Sequence, residues 1–336
     1  MIEHYIRGFE EELREIRHQI HENPELGLQE FKTSALVAEK LRQWGYEVEQ
    51  GLATTGVVAT LKVGDGEKSI GLRADMDALP IYENSGKPWA SKHPGLMHAC
   101  GHDGHTTILL GAARYFAETR RFNGTLRLIF QPAEEMINGG EIMVKEGLFD
   151  RFPCDVIFGM HNMPGLPVGK FFFQPGALMA SMDQFHITVR GCGGHGAIPH
   201  KAIDPVLVAA HITTALQSIV SRNVDPLEAA VITVGSIVAG EAANVIPDSA
   251  EMKISVRSLS RDTRQLLLTR IPALAQAQAA SFGATAEVTH VNGTPVLVND
   301  EEMARFAWQV ACKTFGEDRA EFGIKPLMGS EDFSFM

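Results

Sequence analysis

Cysteine is scarce in this sequence, which has four cysteines among 336 residues. They lie far apart, at Cys100, Cys154, Cys192 and Cys312. A small secreted domain held together by disulfides would have many more cysteines at short spacings. The cysteine content therefore argues against a disulfide framework and favours a reducing compartment, and we expect a cytoplasmic protein.

Long apolar runs and excess positive charge are also missing. No uninterrupted apolar segment approaches the ~20 residues that a membrane-spanning helix needs, and residues 1–12 are too charged for a secretory signal. The chain has 30 Lys and Arg residues against 41 Asp and Glu, which gives a formal net charge of −11. Nucleic acid binding needs a basic surface, so we expect neither a nucleic acid nor a membrane as partner.

The chain is long enough for two domains, since a domain averages roughly 150 residues, and 45% of its residues are hydrophobic. Before residue 178, short apolar runs alternate with helical segments, which predicts an α/β fold with helices on both faces of the sheet. The predicted strands are 57–63, 70–74, 125–130 and 156–160, and the predicted helix is 106–118.

A different pattern follows residue 178. Strands are predicted at 184–189, 229–237, 251–259 and 285–291, with helices at 205–220 and 263–280. Their order is βαββαβ, the split pattern of ferredoxin-like domains. We therefore predict an inserted domain at 178–291 and a discontinuous first domain at 1–177 and 292–336.

The segment 97–105 holds a dense cluster of metal-binding side chains, with one cysteine, three histidines and one aspartate in nine residues. Adjacent glutamates, Glu134 and Glu135, follow the apolar run 126–130, and His161 follows the next apolar run. Ligands of open α/β sheets collect at the carboxyl ends of the strands. The shared placement of these fragments predicts one metal site.

Each of these residues also has an ordinary structural explanation. A lone cysteine in an α/β protein usually packs as a small apolar side chain, and a pair of glutamates often begins a helix because of the helix dipole. His18 and His21 lack the His-Glu-x-x-His arrangement of zincins, so we expect them to be structural. We interpret Cys100 and the glutamate pair as functional because of the motifs around them.

Eight short motifs cover nearly the whole sequence in a fixed order. They are the segments 17–26, 73–80, 98–105, 131–135, 159–161, 193–197, 243–248 and 329–333. In content and order they resemble the M20 family of metallopeptidases and amidohydrolases, in the branch of hippurate hydrolases and N-acyl-amino acid amidohydrolases. The resemblance implies a zinc-exopeptidase-like catalytic domain with a mixed sheet and an inserted ferredoxin-like domain that acts as a lid or in dimerisation.

The resemblance also implies a two-metal centre. Its ligands would be Cys100, His102, Glu135 and His161, and Glu134 would be the general base. Adjacent glutamates suit this division, because one carboxylate cannot coordinate the ions and move a proton at the same time. Thiolate, imidazole and carboxylate together suit Zn, Mn, Co or Ni better than Mg or Ca. We therefore expect two divalent metal ions per chain.

By the same resemblance, five further residues are expected to act at the site, with His195 as a catalytic residue. Asp75 and Asp103 are expected to orient metal ligands without binding the ions. His195, in the inserted domain, is expected to reach the substrate carbonyl, often in the active site of a dimer partner, so we expect a homodimer or a higher homo-oligomer. Asn244 and Arg257 are similar to positions that hold the substrate carboxylate. An exposed loop histidine and a surface arginine are the alternatives for His195 and Arg257.

The predicted function is metal-dependent hydrolysis of the amide bond of N-acyl-amino acids, small molecules like hippurate, to a carboxylic acid and a free amino acid. Indole-acetyl-amino acids and N-acetyl-diaminopimelate are alternative substrates. A metal-poor binding protein without turnover is the alternative of another class. The resemblance also implies a last histidine ligand beyond the motif at 329–333. This sequence has no histidine after His290, so we expect either that it is a fragment of a longer chain or that its ligand set is incomplete.

Overall fold

The first part of the chain is built around a five-stranded sheet. The computed structural model describes residues 2–336, and those up to Pro167, together with Phe335–Met336, form one unit. Its strands are β1 (Glu47–Leu52), β2 (Gly56–Val63), β3 (Ser69–Asp75), β4 (Gly124–Gln131) and β5 (Val156–Gly159). Their order in the sheet is β1-β2-β4-β3-β5. The sheet is mixed, because β1, β2 and β4 pair antiparallel whereas β4, β3 and β5 pair parallel.

Helices cover both faces of this sheet. They are α1 (Ile2–Arg7), α2 (Glu10–Glu22), α3 (Phe31–Gln43), α4 (His102–Thr119), α5 (Glu134–Ile137), α6 (Gly139–Lys145) and α7 (Leu148–Arg151). Val57 and Ala59 of β2 pack in a hydrophobic cluster with α2, α3 and α4, whereas Val58 packs in another with Met143 and Leu148 of α6 and α7. Successive side chains of a strand point to opposite faces, so the two clusters lie on opposite sides. The predicted α/β class is confirmed.

The second unit, Val168–Ser334, contains a four-stranded antiparallel sheet. The strands of this unit are β6 (Phe171–Phe173), β7 (Gly176–Met179), β8 (Ser181–Arg190), β9 (Gly194–His195), β10 (Ala230–Val238), β11 (Val245–Ile246), β12 (Ser249–Ser258), β13 (Thr285–Thr294), β14 (Leu297–Asn299) and β15 (Ala320–Phe322). Its helices are α8 (Pro205–Asn223), α9 (Arg261–Ser281) and α10 (Glu301–Phe315). The large sheet has the order β10-β12-β8-β13, and the remaining strands form the pairs β9 with β11, β7 with β14 and β6 with β15.

Helices α8 and α9 pack against the large sheet of this unit. Phe185, Ile187 and Val189 alternate along β8 as buried residues and join a cluster with Ile212 of α8 and Ile271 of α9. Leaving out the two-residue strands β9 and β11, the chain order is β8-α8-β10-β12-α9-β13. This is the predicted βαββαβ pattern, and the elements lie where the alternation of apolar residues places them.

Residues 292–334 belong to the second unit, and the domain boundaries given above, with 292–336 in the catalytic domain, stay a prediction. Among the helices of residues 2–336, none combines the length and the apolar character that crossing a bilayer requires.

Candidate metal centre

Three parallel strands bring the candidate metal ligands to one edge of the five-stranded sheet. β4, β3 and β5 are neighbours, so their carboxyl ends meet there. Asp75 is the last residue of β3, Glu134 begins α5 just after β4, and His161 follows β5. His102 is the first residue of α4, and Cys100 lies two residues before it. Residues that are far apart in sequence thereby come together.

The bend between Cys100 and His102 depends on Gly101. Its φ of 94° lies in the left-handed region, which residues with a side chain rarely adopt. A Cβ at this position would also overlap the side chain of Asn162. Glycine therefore allows the chain to turn into α4 while both donors remain at the site.

The donor atoms form two groups that share His102. Those of Cys100, His102 and His161 lie within 4.8 Å of one another, as do those of His102, Glu134 and Glu135. The Cys100 Sγ and His161 Nε2 atoms are 3.4 Å apart. The structure therefore brings together all four predicted ligands and the predicted base.

Two atoms of this site lack an ordinary partner. Within the described part of the chain, neither His102 Nε2 nor Glu135 Oε1 has a hydrogen bond, although both are buried. They are 3.9 Å apart. Buried polar atoms are almost always paired, and a divalent cation between an imidazole nitrogen and a carboxylate oxygen would satisfy both atoms. Thiol, imidazole and carboxylate donors also fit a borderline divalent metal, so the residues present fit such an ion.

Burial and neighbouring charges shift the pKa values of three of the donors. Burial raises the pKa of the Cys100 thiol and of the Glu135 carboxyl. Burial opposes a charge on His102, but the carboxylates of Asp75 and Asp77 outweigh it and hold the pKa of His102 well above its usual value. Each of these shifts favours the protonated form, so protons compete with a metal ion for these side chains.

Asp77 orients two of the candidate ligands and was not among the site residues predicted from the sequence. Its Oδ1 atom lies 3.2 Å from His102 Nδ1, and its Oδ2 accepts a hydrogen bond of 3.0 Å from the backbone N–H of Glu135. The carboxylate is buried. A carboxylate on the far nitrogen of a ligating histidine fixes the ring and leaves the other nitrogen for the metal. The available signal was the second aspartate two residues after Asp75.

Asp75, which we expected to orient a ligand, lies in a fully buried network. Its Oδ1 accepts a hydrogen bond of 2.6 Å from His105 Nδ1, and its Oδ2 accepts one of 2.7 Å from Arg73 Nη1. The same Oδ2 is 3.8 Å from His102 Nε2. His105 Nε2 in turn accepts from the backbone N–H of Asn162 at 3.0 Å, next to His161. These contacts join β3 to two of the ligand segments, and the orienting role of Asp75 stays a prediction.

Asp103 contacts a different set of residues. Its Oδ2 accepts hydrogen bonds from Arg17 Nε at 3.0 Å and from His21 Nδ1 at 3.1 Å. These bonds tie the start of α4 to α2. The contacts of Asp103 thus favour a role in packing the two helices, and its expected role toward a ligand stays a prediction.

The predicted substrate residues lie in the second unit. His195 of β9 pairs with Val245 of β11, and the N–H of Gly196 donates to the Asn244 carbonyl at 2.8 Å, so His195 and Asn244 are close. Both side chains are exposed. Arg257 lies on the large sheet, where its Nη1 donates to the Met328 carbonyl at 2.7 Å. The substrate roles of these three residues stay predictions.

Sulfur, nitrogen and oxygen donors at the strand ends, with a further carboxylate beside them, are the arrangement expected of a metal-dependent hydrolase. Comparisons with known proteins agree. The pattern of peptidase family M20/M25/M40 matches residues 71–336. The chain is 50% identical to a hippurate hydrolase of Campylobacter jejuni over 96% of its own length and 84% of that protein. It is 41% identical to an N-acetyl-L-cysteine deacetylase of Bacillus subtilis, over 97% and 77% of the two lengths.

A solved structure agrees in fold as well as in sequence. The Bacillus subtilis YXEP protein, described as a dinuclear metal binding peptidase from the M20 family, superposes with a TM-score of 0.83 at 35% identity, over 98% of this chain and 85% of that one. The chain belongs to peptidase family M20/M25/M40. The predicted family, fold class and hydrolase activity are thereby confirmed, and the site is one for divalent metal ions.

Proposed function

We propose that the protein hydrolyses the amide bond of N-acyl-amino acids and releases a carboxylic acid and a free amino acid. The observation that carries this proposal is the pair of glutamates at the metal site. Glu135 directs a buried, unpaired oxygen toward His102, while the carboxylate of Glu134 lies beside it with its oxygen in the same donor group. Similarity to the hippurate hydrolase supports the acyl-amino acid substrate class.

Cys100, His102, Glu135 and His161 would hold the metal, which we propose to be two ions of Zn, Mn, Co or Ni per chain. Divalent ions bound at such a site lower the pKa of coordinated water and polarise a substrate carbonyl. Asp77 fixes the ring of His102 and the start of α5 by its two contacts. This arrangement holds the ligands in place before the ions bind.

Glu134 acts as the proton carrier in this proposal. Its carboxylate takes a proton from the attacking water as the water oxygen adds to the acyl carbon. Glu134 then returns that proton to the nitrogen as the C–N bond breaks, which releases the amino acid and leaves the carboxylic acid. His195 stabilises the negative charge that develops on the carbonyl oxygen. Asn244 and Arg257 hold the carboxylate of the amino acid.

Quaternary structure and location are part of the proposal. We propose a homodimer or higher homo-oligomer, because the family resemblance places the histidine that corresponds to His195 in a partner's active site. We propose a cytoplasmic location, and the free state of all four cysteines supports it. The substrate is a small molecule, and neither a nucleic acid nor a membrane is a partner.

Substitution of the two glutamates tests the mechanism. Hydrolysis of benzoyl-glycine and metal content per chain are measured for the wild type, Glu134→Gln and Glu135→Gln, with chelator-treated wild type as the reference for metal loss alone. Glu134→Gln should keep its metal but lose kcat by roughly 10²–10⁴-fold, the contribution of a general acid–base group. Glu135→Gln should lose metal. Equal metal loss in both variants would show that the two roles are assigned wrongly, and parallel assays with N-acetyl-cysteine test the acyl preference.

A further inference from the structure

Glu30 is a buried carboxylate that belongs neither to the candidate metal ligands nor to the proposed substrate residues. It directly precedes α3, and its relative exposure is 0%. Burial raises the pKa of its carboxyl group. A buried ionisable side chain is costly unless its polar atoms are paired, so its contacts indicate why it is there.

Both oxygens of Glu30 are hydrogen-bonded. Oε1 accepts from the backbone N–H of Ala133 at 2.8 Å, and Oε2 accepts from the Thr55 hydroxyl at 2.6 Å. Ala133 is 103 residues away along the chain and immediately precedes Glu134. The carboxylate thus links the segment before α3 and the turn after β2 to the turn that begins the glutamate pair.

Ala133 has a backbone conformation that needs outside support. Its φ of 56° and ψ of 42° lie in the left-handed region, which residues other than glycine, asparagine and aspartate rarely occupy. Such strained residues persist where the surrounding structure holds them, often at functional sites. Its N–H is held by Glu30, and its carbonyl accepts from the N–H of Gly139 at 2.9 Å.

The turn at Ala133 is also tightly packed against the segment that precedes α3. A Cβ on Gly27 would lie 2.9 Å from the Ala133 Cβ, so the segment that contains Glu30 packs directly against the turn. The path of the chain from the end of β4 to Glu134 and Glu135 is therefore held by the Glu30 carboxylate, which comes from a distant part of the sequence. We infer that Glu30 is a positioning residue that sets the placement of the Glu134–Glu135 pair through the backbone of Ala133. This inference rests on the proposed function, in which Glu134 moves the proton.

Substitutions at Glu30 separate positioning from simple packing. Glu30→Met keeps the length of the side chain but leaves the N–H of Ala133 and the hydroxyl of Thr55 buried without an acceptor. Glu30→Gln can keep both contacts, because its carbonyl accepts from Ala133 while its NH₂ donates to the Thr55 oxygen, and a hydroxyl can accept as well as donate. The matched control is Glu25→Met. Glu25 also accepts backbone hydrogen bonds, from Lys32 and Thr33 at the start of α3, but does not contact the turn.

Steady-state kinetics with benzoyl-glycine, metal content and amide hydrogen exchange of residues 131–139 are measured for the whole protein. Glu30→Met should lower kcat by about 10–100-fold, because displacement of a catalytic group by an ångström has effects of this size, with KM within about twofold of the wild type. Its 131–139 amides should exchange faster. Glu30→Gln should stay close to the wild type in both readouts, and Glu25→Met should keep kcat and the protection of 131–139.

Wild-type kcat and exchange in Glu30→Met would overturn the inference, as would an equal loss of kcat in Glu25→Met. If Glu30→Met does not fold, Glu30→Asp takes its place with the same expectations, since its shortened carboxylate cannot reach both donors. Failure of the wild type to cleave both benzoyl-glycine and N-acetyl-cysteine would refute the proposed function but not the inference. In that case hydrogen exchange decides, because faster exchange at 131–139 in the Glu30 variant alone supports positioning and unchanged exchange refutes it.

Discussion

Replacing Asp77 with asparagine should weaken metal binding although the side chain keeps its size. The carboxylate of Asp77 has two partners, the Nδ1 atom of His102 at 3.2 Å and the backbone N–H of Glu135 at 3.0 Å. An ionised carboxylate only accepts hydrogen bonds. In the metal-bound state, where the ring carries a single proton, Nδ1 of His102 must therefore carry it, and the lone pair of Nε2 faces the metal.

An asparagine cannot serve both partners in this way. If its carbonyl oxygen keeps the bond to the Glu135 N–H, its NH₂ group faces His102 Nδ1, which must then accept. The ring proton moves to Nε2, the atom that lies 3.9 Å from Glu135 Oε1, and blocks it as a ligand. If the amide is turned round, its NH₂ group meets the Glu135 N–H and two donors oppose each other. Either orientation damages one of the two ligands.

The size of the effect follows from the role of such contacts. Loss of a partner that orients a metal ligand typically reduces metal affinity by about 10–100-fold. At about 1.4 kcal/mol for each factor of ten, the expected loss of binding free energy is about 1.4–2.8 kcal/mol. This is well below the loss expected when a ligand itself is removed, so Asp77→Asn should still bind metal at high concentration.

Competition with a chromogenic chelator measures the effect directly. Metal-free wild type, Asp77→Asn and Asp65→Asn are titrated with Zn or Mn, and Kd is obtained for each. Asp65 is exposed and bonds to Asn123, so its substitution makes the same chemical change away from the site and should leave Kd unchanged. An Asp77→Asn variant with the Kd of the wild type would refute the tautomer argument.

Two further predictions concern histidines. Burial lowers the pKa of His98 to about 4, so between about pH 6.5 and 4 the unfolded chain binds a proton that the folded chain does not. The free energy of unfolding should therefore decrease by up to about 3 kcal/mol as the pH is lowered through this range. Denaturant unfolding of the metal-free protein at several pH values should show that this loss is abolished in His98→Phe and retained in His186→Phe, a control at an exposed position. An equal dependence of the free energy of unfolding on pH in both variants would contradict the prediction. Mixing inactive His195→Ala and Glu134→Gln chains should restore up to about a quarter of wild-type activity if a partner subunit supplies the histidine, whereas heterodimers without activity would exclude that arrangement.

The regular elements of both units could be predicted because each extends over several periods of its pattern. In β8, buried Phe185, Ile187 and Val189 alternate with less buried residues over ten residues. α8 begins at Pro205, after Asp204 has capped its first turn. Short elements give no such signal, since the four residues of α5 barely exceed one helical turn and the two residues of β9 are one strand period. These short elements position the glutamate pair and His195, so the site depends on parts of the fold that periodicity does not reveal.

The candidate ligands could be predicted from residue type and motif, but the residues that orient them could not. Cys100 and His102 are recognisable in a short segment of sequence. Asp77 and Glu30 act on the Glu134–Glu135 turn from 58 and 103 residues away. Such contacts depend on where the side chains point after β3 ends and before α3 begins. In the sequence, nothing distinguishes these two carboxylates from the other Asp and Glu side chains.

Charge compensation explains how so many ionisable groups can be buried at one sheet edge. Burial alone would raise the pKa of Asp75, but attraction from Arg73 and His102 outweighs it and keeps that pKa well below its usual value. The same attraction raises the pKa of His102 well above its usual value. A proton on His102 and a bound divalent ion would each offset the charge of the buried carboxylates, so ligand protonation and metal binding are coupled. Because an uncompensated buried charge is strongly destabilising, the buried carboxylates need positive charge nearby, and a divalent ion bound to the ligands would supply it.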